Sequence, residues 1–314
     1  MAFRYINPGY VSLLNADCTA TEYSGTTYSK TGTGFSQTES TAGITVAQFS
    51  AGDDFWARFD AYIPLNQDAY IYLYFPNSDR SGVRIYCRAN ETNWGEILQY
   101  HNATTRNVAS GTNKTLGINT NEINSFLVYA KLGDTATAKL RLWINGKEFS
   151  ASNAGMTYSE SYSKVAVLYS TCQDIIFSNI IFSDEEISLK ERTTKAFPIS
   201  STATDMTTGE NGIYIADAAN QTLLQTIDVS TLIENYGASS AVTGIAVVGN
   251  PAYKTATGLA SMIGITKSGD ASIVEHGSCD LSDDTEAVIS AGWATDNLTI
   301  ADLQNMQFGW KAGE

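Results

Sequence analysis

The sequence of 314 residues carries a formal net charge of −14, and only 17% of its residues are charged. Because a nucleic-acid surface needs basic residues to neutralise phosphates, and an anionic membrane repels an acidic protein, this balance argues against both kinds of partner. The 43% hydrophobic share suffices for a sizeable core, and the many Ser, Thr, Asn, Gly and Tyr residues are typical of an all-β protein with many turns.

Short strands with alternating side chains follow one another from about residue 55 to residue 182. In chain order they read FWARFDAYI, YIYLYF, VRIYCR, WGEILQY, FLVYAKL, AKLRLWI, KVAVLYS and DIIFSNIIF. Turn clusters separate them, for example at residues 76–79 and at Asn145-Gly146. Many short strands punctuated in this way predict a β-sandwich or a β-barrel.

Alternation along these strands also predicts which side chains are internal. A strand sends successive side chains to opposite faces of its sheet, so a slip of one residue would expose the whole internal set. We expect residues from about 45 to 190 to form two packed antiparallel sheets. The side chains expected between the sheets are Phe55, Phe59, Ile71, Leu73, Ile85, Leu142 and Ile144.

The composition changes between residues 184 and 204. The segment 184–192, DEEISLKER, is the only one that looks helical, and a second series of strands begins near residue 212. We therefore predict two β-sandwich domains of jelly-roll type. The first spans 1–195 and includes an N-terminal arm, and the second, smaller domain spans 200–314 and serves docking or display.

Residues 140–150, LRLWINGKEFS, predict a β-hairpin turned by Asn145-Gly146. If Leu142 faces the core, Arg141 and Trp143 must face outward. The same alternation sends outward a further set of aromatic and Arg side chains: Trp56, Arg58, Tyr62, Tyr70, Tyr72, Tyr74, Arg84, Tyr86 and Arg88.

An outward face of this kind predicts a contact surface. Aromatic residues and Arg are enriched in protein interfaces. Flat rings also stack on the C–H faces of sugars, and Arg hydrogen-bonds hydroxyls and carboxylates. The alternative is that residues 1–45, the second domain or a neighbouring subunit covers these rings. The candidate binding residues, expected on one sheet face, are Tyr72, Tyr74, Arg84, Tyr86, Arg141 and Trp143.

Candidates for chemistry are few. A Ser-His-Asp arrangement cannot be placed around His101 or His276 from the sequence alone. Glycoside hydrolysis needs two carboxylates on one face, whereas the adjacent Asp53 and Asp54 would point to opposite faces of a strand. We expect no catalytic residue and no enzymatic activity.

The cysteines are widely spaced and form no CxxC motif. This spacing argues against a metal cluster and against a disulfide scaffold. We expect reduced thiols and no cofactor. The four residues concerned are Cys18, Cys87, Cys172 and Cys279.

Two elements of the first domain resemble the laminin-G-like, concanavalin-A-like jelly roll. One is the hairpin at 140–150, and the other is DIIFSNIIFSDEEI at 174–187, which resembles the last strand and closing turn of that family. The resemblance covers about residues 45–190 and implies a sandwich that can hold calcium in its rim loops. The loop acids that could bind calcium are Asp53, Asp54, Asp79 and Asp134. The alternative is that these acids are only solvated.

The two ends of the chain resemble parts of phage proteins. FRYINPGYVSLL at 3–14 resembles the start of tailed-phage virion proteins. Residues 287–313 resemble the closing segment of phage structural β-modules, where a turn precedes a short Asp-Leu helix and a last Gly-x-Lys strand. The resemblance implies a phage surface or tail component. The matching residues are Trp293, Thr299, Asp302, Leu303, Phe308, Gly309 and Lys311.

We therefore expect a non-enzymatic structural protein of a phage virion, acting as a surface decoration, a neck component or a tail component. It would form homo-oligomers, assemble with other virion proteins and adhere to host surface glycans. No apolar run is long enough for a signal peptide or a membrane span, so we expect assembly in the host cytoplasm without membrane insertion. The alternatives are a free carbohydrate-binding lectin and a glycoside hydrolase or lyase of the concanavalin-A-like fold.

Overall fold

The protein is all-β, as predicted, and it divides into two compact units. The first unit spans Arg4–Thr193, and the second unit spans Thr194–Glu314 together with Met1–Phe3. No helix in the described part of the chain is long and apolar enough to cross a membrane. The structure is a computed structural model that describes residues 3–7, 20–25, 27, 29–30, 33–37, 44–45, 54–64, 68–74, 82–88, 94–101, 104–131, 139–152, 165–189, 193–194, 196–210, 213–252, 259–281 and 287–314.

The described residues of the first unit form two sheets. Its described elements are β1 (Phe3–Asn7), β2 (Ala20–Ser24), β3 (Thr33–Gln37), β4 (Ile44–Thr45), β5 (Asp54–Ile63), β6 (Ala69–Tyr74), β7 (Gly82–Cys87), β8 (Trp94–His101), β9 (Thr104–Thr112), α1 (Asn113–Leu116), β10 (Glu122–Lys131), β11 (Lys139–Ile144), β12 (Lys147–Ser152), β13 (Val165–Ser170) and β14 (Ile176–Ser183). The eight-stranded sheet has the order β12-β11-β10-β5-β14-β3-β2, with β1 paired to β14. The six-stranded sheet has the order β4-β13-β6-β7-β8-β9.

The two sheets pack face to face through one hydrophobic cluster. All seven side chains predicted to lie between the sheets are in this cluster and at most 2% exposed, which confirms the register. Phe59 and Phe126 are cross-strand partners whose rings stack with centroids 4.9 Å apart. Burying each large apolar side chain contributes roughly 1.5–3 kcal/mol, so the alternation pattern stabilises the sandwich as well as defining its faces.

The predicted hairpin is confirmed, with β11 and β12 joined at Asn145 and Gly146. Both turn residues have positive φ, 49° and 87°, which suits Asn and Gly and is the requirement of a type I′ turn. The Asn145 amide also donates to the carbonyl of Gly117 and to the side-chain oxygen of Asn124, both at 2.8 Å. These contacts fix the end of the strand that carries Trp143.

The second unit is a smaller sandwich. Its described elements are β15 (Pro198–Thr204), β16 (Thr207–Thr208), β17 (Tyr214–Ile215), β18 (Thr222–Ile227), α2 (Ser230–Tyr236), β19 (Ala241–Ala252), β20 (Ser261–Ser268), β21 (Val274–Asp280), β22 (Ala287–Thr299), a 3-10 helix (Ala301–Asn305) and β23 (Met306–Gly313). Its five-stranded sheet has the order β15-β18-β23-β20-β21, and β16-β17 and β19-β22 form two-stranded sheets.

The β19-β22 ribbon packs on the five-stranded sheet. Trp293 of β22 shares a cluster with Phe308 of β23, and Ala291 shares another with Trp310. Gly264 of β20 permits this approach, because a Cβ there would lie 2.6 Å from the Cβ of Ala291. A side chain at this position would therefore push the two layers apart.

The helix predicted at 184–192 is wrong over its described part, 184–189, which is irregular. The backbone N–H of Glu185 donates to the Ser183 hydroxyl at 3.0 Å, and Ile187 is buried. The carbonyl of Leu189 accepts a hydrogen bond from Arg58. These tertiary contacts outweigh the helical propensity of the segment, as commonly happens in short segments.

Candidate functional site

The six candidate binding residues do not share one face, so that prediction is wrong. Tyr72, Tyr74, Arg84 and Tyr86 lie on β6 and β7 of the six-stranded sheet. Arg141 and Trp143 lie on β11 of the eight-stranded sheet. The inward side chains of both sheets meet in one core, so the two outward groups lie on opposite sides of the sandwich. Alternation within a strand defines the outward side but not the sheet to which the strand belongs.

The larger outward group forms what we call the tyrosine face, made of Tyr70, Tyr72, Arg84, Tyr86 and Tyr169. Strand register places Tyr70 opposite Tyr86, and Tyr72 between Arg84 and Tyr169. The Tyr70 and Tyr86 rings stack with centroids 4.2 Å apart, and those of Tyr72 and Tyr169 with centroids 4.7 Å apart. Tyr70, Tyr72 and Tyr86 remain half-buried, so they present ring surface to solvent.

Tyr74 points outward as predicted but offers little surface. It and Tyr169 are each only 7% exposed, and their hydroxyl oxygens lie 3.4 Å apart. The Tyr74 ring also lies 5.9 Å from that of Tyr72. Tyr74 therefore supports the tyrosine face from its edge, and the accessible rings are those of Tyr70, Tyr72 and Tyr86.

A charged cluster fixes one end of this face. Arg88 lies over the Tyr86 ring at 4.8 Å and pairs with Asp68 at 3.3 Å. The Tyr86 hydroxyl donates to the same Asp68 carboxylate at 3.1 Å. Loss of solvent around the phenol, and then this hydrogen bond, raise the pKa of Tyr86 above its ordinary value. Tyr86 is thus a neutral phenol at physiological pH, held in place by Asp68.

Arg84 lies near the middle of the face. Its guanidinium carbon is 5.0 Å from the centroid of the Tyr70 ring, which is a cation–π contact. Its cross-strand partners are Tyr72 on β6 and Leu98 on β8. Within the described ranges, no carboxylate forms an ion pair with Arg84, and its buried Nε atom has no hydrogen-bond partner.

The smaller outward group is what we call the Trp143 cluster, made of Trp56, Tyr129, Arg141, Trp143 and Glu148. The Trp143 ring stacks on Trp56 at 6.1 Å, and Trp56 lies 4.7 Å from Tyr129. Arg141 lies over Trp143 at 4.5 Å and pairs with Glu148 at 2.8 Å. That hydrogen bond is the main reason that the pKa of Glu148 is lowered. The cluster therefore presents an aromatic surface beside Arg141, and the charge of Arg141 is already balanced by Glu148.

Asp54 is the one candidate calcium ligand in the described residues, and it is engaged elsewhere. Its carboxylate accepts from the Tyr129 hydroxyl at 2.9 Å and pairs with Lys131 at 3.1 Å. Burial and then the hydrogen bond to Asp54 raise the pKa of Tyr129 to about 12. Among the described side chains, no three His, Cys, Asp or Glu residues converge to hold a metal ion. The other three loop acids, Asp53, Asp79 and Asp134, lie outside the described residues.

Arg58 leaves the inter-sheet core as predicted, and so does Asp60, but the chain itself covers both. Both are fully buried and pair at 3.0 Å. Asp60 accepts from the Ser125 hydroxyl at 2.6 Å and from the Asn179 amide at 2.9 Å. A β-bulge in β14 turns Asn179 to a φ of 53°, so that its carbonyl also accepts from Arg58. This network ties β5, β10 and β14 together and offers no open surface.

His276 is half-buried and packs against the core of the second unit. Its ring stacks on Trp293 with centroids 3.8 Å apart, and its Nε2 lies 2.8 Å from the Thr266 hydroxyl. Burial lowers the pKa of His276, so the ring is neutral near pH 7. The environment resembles that of a packed aromatic residue more than that of a catalytic base. The side chain of His101 lies outside the described part.

No family model matches the sequence, and no curated protein matches it. A structure of botulinum neurotoxin type C, a toxin described as depending on two ganglioside molecules to enter cells, is 9% identical with a TM-score of 0.37, covering 100% of this chain and 98% of that one. The binding domain of botulinum neurotoxin DC, in complex with SialylT, is 10% identical with a TM-score of 0.33, covering 100% and 94%. An endo-β-1,4-glucuronan lyase from the fungus Trichoderma reesei is 9% identical with a TM-score of 0.36, covering 58% and 95%. Each likeness is weak in identity and in TM-score, and the fold assignment rests on the strands and sheets described above.

Proposed function

We propose that this protein is a non-enzymatic structural protein of a phage virion that adheres to glycans through the tyrosine face. The observation that carries the adhesive role is the row of half-buried, mutually stacked tyrosines on the outer side of the six-stranded sheet. Neighbouring rings hold one another in place, so little side-chain freedom is lost when a ligand binds, which favours affinity.

The chemistry of the face suits sugars. The apolar C–H side of a pyranose can lie on the exposed ring surface of Tyr70 or Tyr72, where the loss of water from both surfaces is favourable. The phenol hydroxyls and the Arg84 guanidinium can hydrogen-bond sugar hydroxyls at the edge. A flat, rigid platform with polar groups at its border binds a ligand without needing a deep cavity.

Support for the virion role comes from the sequence resemblance of the two ends and from the local structure of the second. Asp302 accepts from the backbone N–H of Thr299 at 2.8 Å and from its hydroxyl at 2.7 Å. This contact spans the start of the 3-10 helix Ala301–Asn305, which contains Asp302 and leads directly into β23. The short helix with Asp302 and Leu303 and the last strand follow in the order of the phage module which residues 287–313 resemble, whereas Trp293 and Thr299 lie in β22 and not in a turn.

We assign self-assembly to the Trp143 cluster. With a net charge of −14, two copies of the chain repel each other unless they meet through a surface that is locally neutral. Most of the charges at the Trp143 cluster are paired, because Arg141 pairs with Glu148 and, beside the cluster, Lys131 pairs with Asp54. Paired charges around an aromatic centre are also typical of protein interfaces.

A glycan array probed with the purified chain tests the adhesive role, with Tyr72→Ala and Trp143→Ala as a matched pair on opposite sheets. We expect Tyr72→Ala to weaken binding by about thirtyfold, equivalent to roughly 2 kcal/mol, as for a hot-spot truncation. Trp143→Ala should leave the affinity for a monovalent glycan in solution unchanged, although smaller assemblies would lower the avidity on the array. Equal losses in both variants, or no binding by the parent chain to any glycan, would contradict the proposal.

Mass spectrometry of purified phage particles tests the virion role. Peptides of this chain should be present at a constant ratio to the capsid protein through successive rounds of purification. A chain that binds glycans but separates from the particles would instead be a free lectin.

A further inference from the structure

The tyrosine face carries one positive charge, that of Arg84, which no described carboxylate balances. Of the arginines whose side chains the structure describes, three pair with a carboxylate: Arg58 with Asp60 at 3.0 Å, Arg88 with Asp68 at 3.3 Å and Arg141 with Glu148 at 2.8 Å. Arg84 is the fourth, and no described carboxylate pairs with it. Among the described residues, its guanidinium makes a cation–π contact with the Tyr70 ring at 5.0 Å.

This imbalance matters because a guanidinium is a cation that an anionic partner stabilises. A guanidinium stays protonated throughout the physiological pH range, and a half-buried cation without an anionic partner is partly desolvated without compensation. The protein tolerates this at a position surrounded by stacked rings. A guanidinium lying over a ring keeps its N–H donors in its own plane, so they remain directed to an acceptor beside the ring.

We propose that Arg84 binds the carboxylate of an acidic sugar, a uronic acid or a nonulosonic acid, whose ring lies on Tyr70 or Tyr72. The assignment rests on the proposed glycan-binding function and names the class of sugar that the tyrosine face selects. The planar fork of Arg matches the planar carboxylate with two parallel hydrogen bonds, which gives specificity beyond charge attraction. The carboxylate of the ligand would pair with Arg84, as carboxylates of the protein pair with the other described arginines.

The same charges argue for one carboxylate rather than for a phosphate or a polyanion. The other described cation on this face, Arg88, is already neutralised by Asp68. Glu96, which faces Tyr86 across β7 and β8, adds a negative charge. With a net charge of −14 behind it, the site can balance one negative charge but not two or more.

Calorimetric titration with matched sugars tests the assignment. The probes are oligosaccharides ending in a uronic acid or a nonulosonic acid, each beside its carboxyl-reduced counterpart and a sulfated counterpart. We expect the parent chain to bind an acidic member at least tenfold more tightly than its reduced partner. Arg84→Gln should remove this preference while retaining binding of the reduced sugar, and Arg84→Lys should retain only part of it. Lys267→Gln, which removes one positive charge from β20 of the second unit, should change neither value.

The outcomes separate this assignment from the function on which it rests. If the parent chain binds acidic and reduced sugars equally, and Arg84→Gln behaves like the parent, the carboxylate assignment fails while glycan binding stands. A preference for the sulfated sugars over the carboxylated ones would also overturn it. If no sugar binds, the adhesive function itself fails. Because Arg84→Lys preserves the charge and most of the side chain, it reports on binding even if Arg84→Gln folds poorly.

Discussion

Tyr72 and Tyr169 face each other across β6 and β13 with ring planes within 4° of parallel and centroids 4.7 Å apart. The two strands are neighbours in the six-stranded sheet although they are distant in sequence. A cross-strand aromatic pair of this kind contributes roughly 0.5–1.5 kcal/mol beyond the burial of its area. The stacking therefore serves both the sheet and the ligand, since it stabilises the strand pairing and holds the Tyr72 ring rigid.

Trp143 should contribute both to stability and to self-assembly. Because the ring is half-buried on Trp56, we expect Trp143→Ala to lower the free energy of unfolding by about 2 kcal/mol, less than the ~3–5 kcal/mol typical of a Trp in a core. Sedimentation should show a shift toward smaller assemblies. Trp143→Phe keeps an aromatic ring on Trp56 and should reduce both effects. An Ala variant with unaltered stability and unaltered assembly would show that the Trp143 cluster is an ordinary surface.

The buried network around Arg58 should be far more sensitive than the exposed pair at Arg141. Arg58→Met leaves Asp60 as a buried carboxylate without its cation, which we expect to cost about 3–5 kcal/mol of unfolding free energy. Arg141→Met removes a surface pair and should cost less than about 1 kcal/mol. Urea unfolding of the two variants measures the difference directly. Similar costs for both would mean that the network around Asp60 is solvated.

Cys87 should make stability depend on alkaline pH. Burial raises the pKa of the Cys87 thiol to about 12, whereas the ordinary value is 9.0. The unfolded chain therefore releases this proton first, so the contribution is complete below about pH 9 and is lost as the pH rises toward 12. The slope for one such thiol is about 1.4 kcal/mol per pH unit. Unfolding of the parent chain and of Cys87→Ala between pH 8 and pH 11, roughly the window set by those pKa values, should show a smaller slope for the variant. Identical slopes would mean that Cys87 is accessible to water in the folded protein.

The sequence was sufficient to predict the interior of the first unit. Phe55, Ile71 and Leu142 could be placed between the sheets because the period of two depends only on each strand. The same rule showed that Trp143 and Tyr72 leave the core. It could not show that they leave it on opposite sides, since β10 and β11 join the eight-stranded sheet while β6 and β7 join the other, and such pairings depend on contacts that are long-range in sequence.

The sequence pattern also could not predict which outward side chains are covered by other parts of the chain. Arg58 and Tyr72 are both outward residues, yet Arg58 is fully buried because Leu189 and the bulged Asn179 lie over it. Tyr72 remains half-buried. The proximity of Asp60, two residues from Arg58 on the same face, was a signal for a buried ion pair, because a strand that carries opposite charges at positions i and i+2 can pair them directly. Which loop covers a sheet face is decided by the tertiary fold.

Solution NMR of the chain with labelled tyrosine and tryptophan rings tests whether the tyrosine face binds glycans. During titration with a glycan selected from the array, we predict progressive shifts of the Tyr70, Tyr72 and Tyr86 ring signals, because these rings form the accessible part of the tyrosine face. The indole signal of Trp143, on the opposite sheet, should stay unchanged. Shifts of the Trp143 indole together with silent tyrosine rings would contradict the account and move the glycan site to the other side of the sandwich.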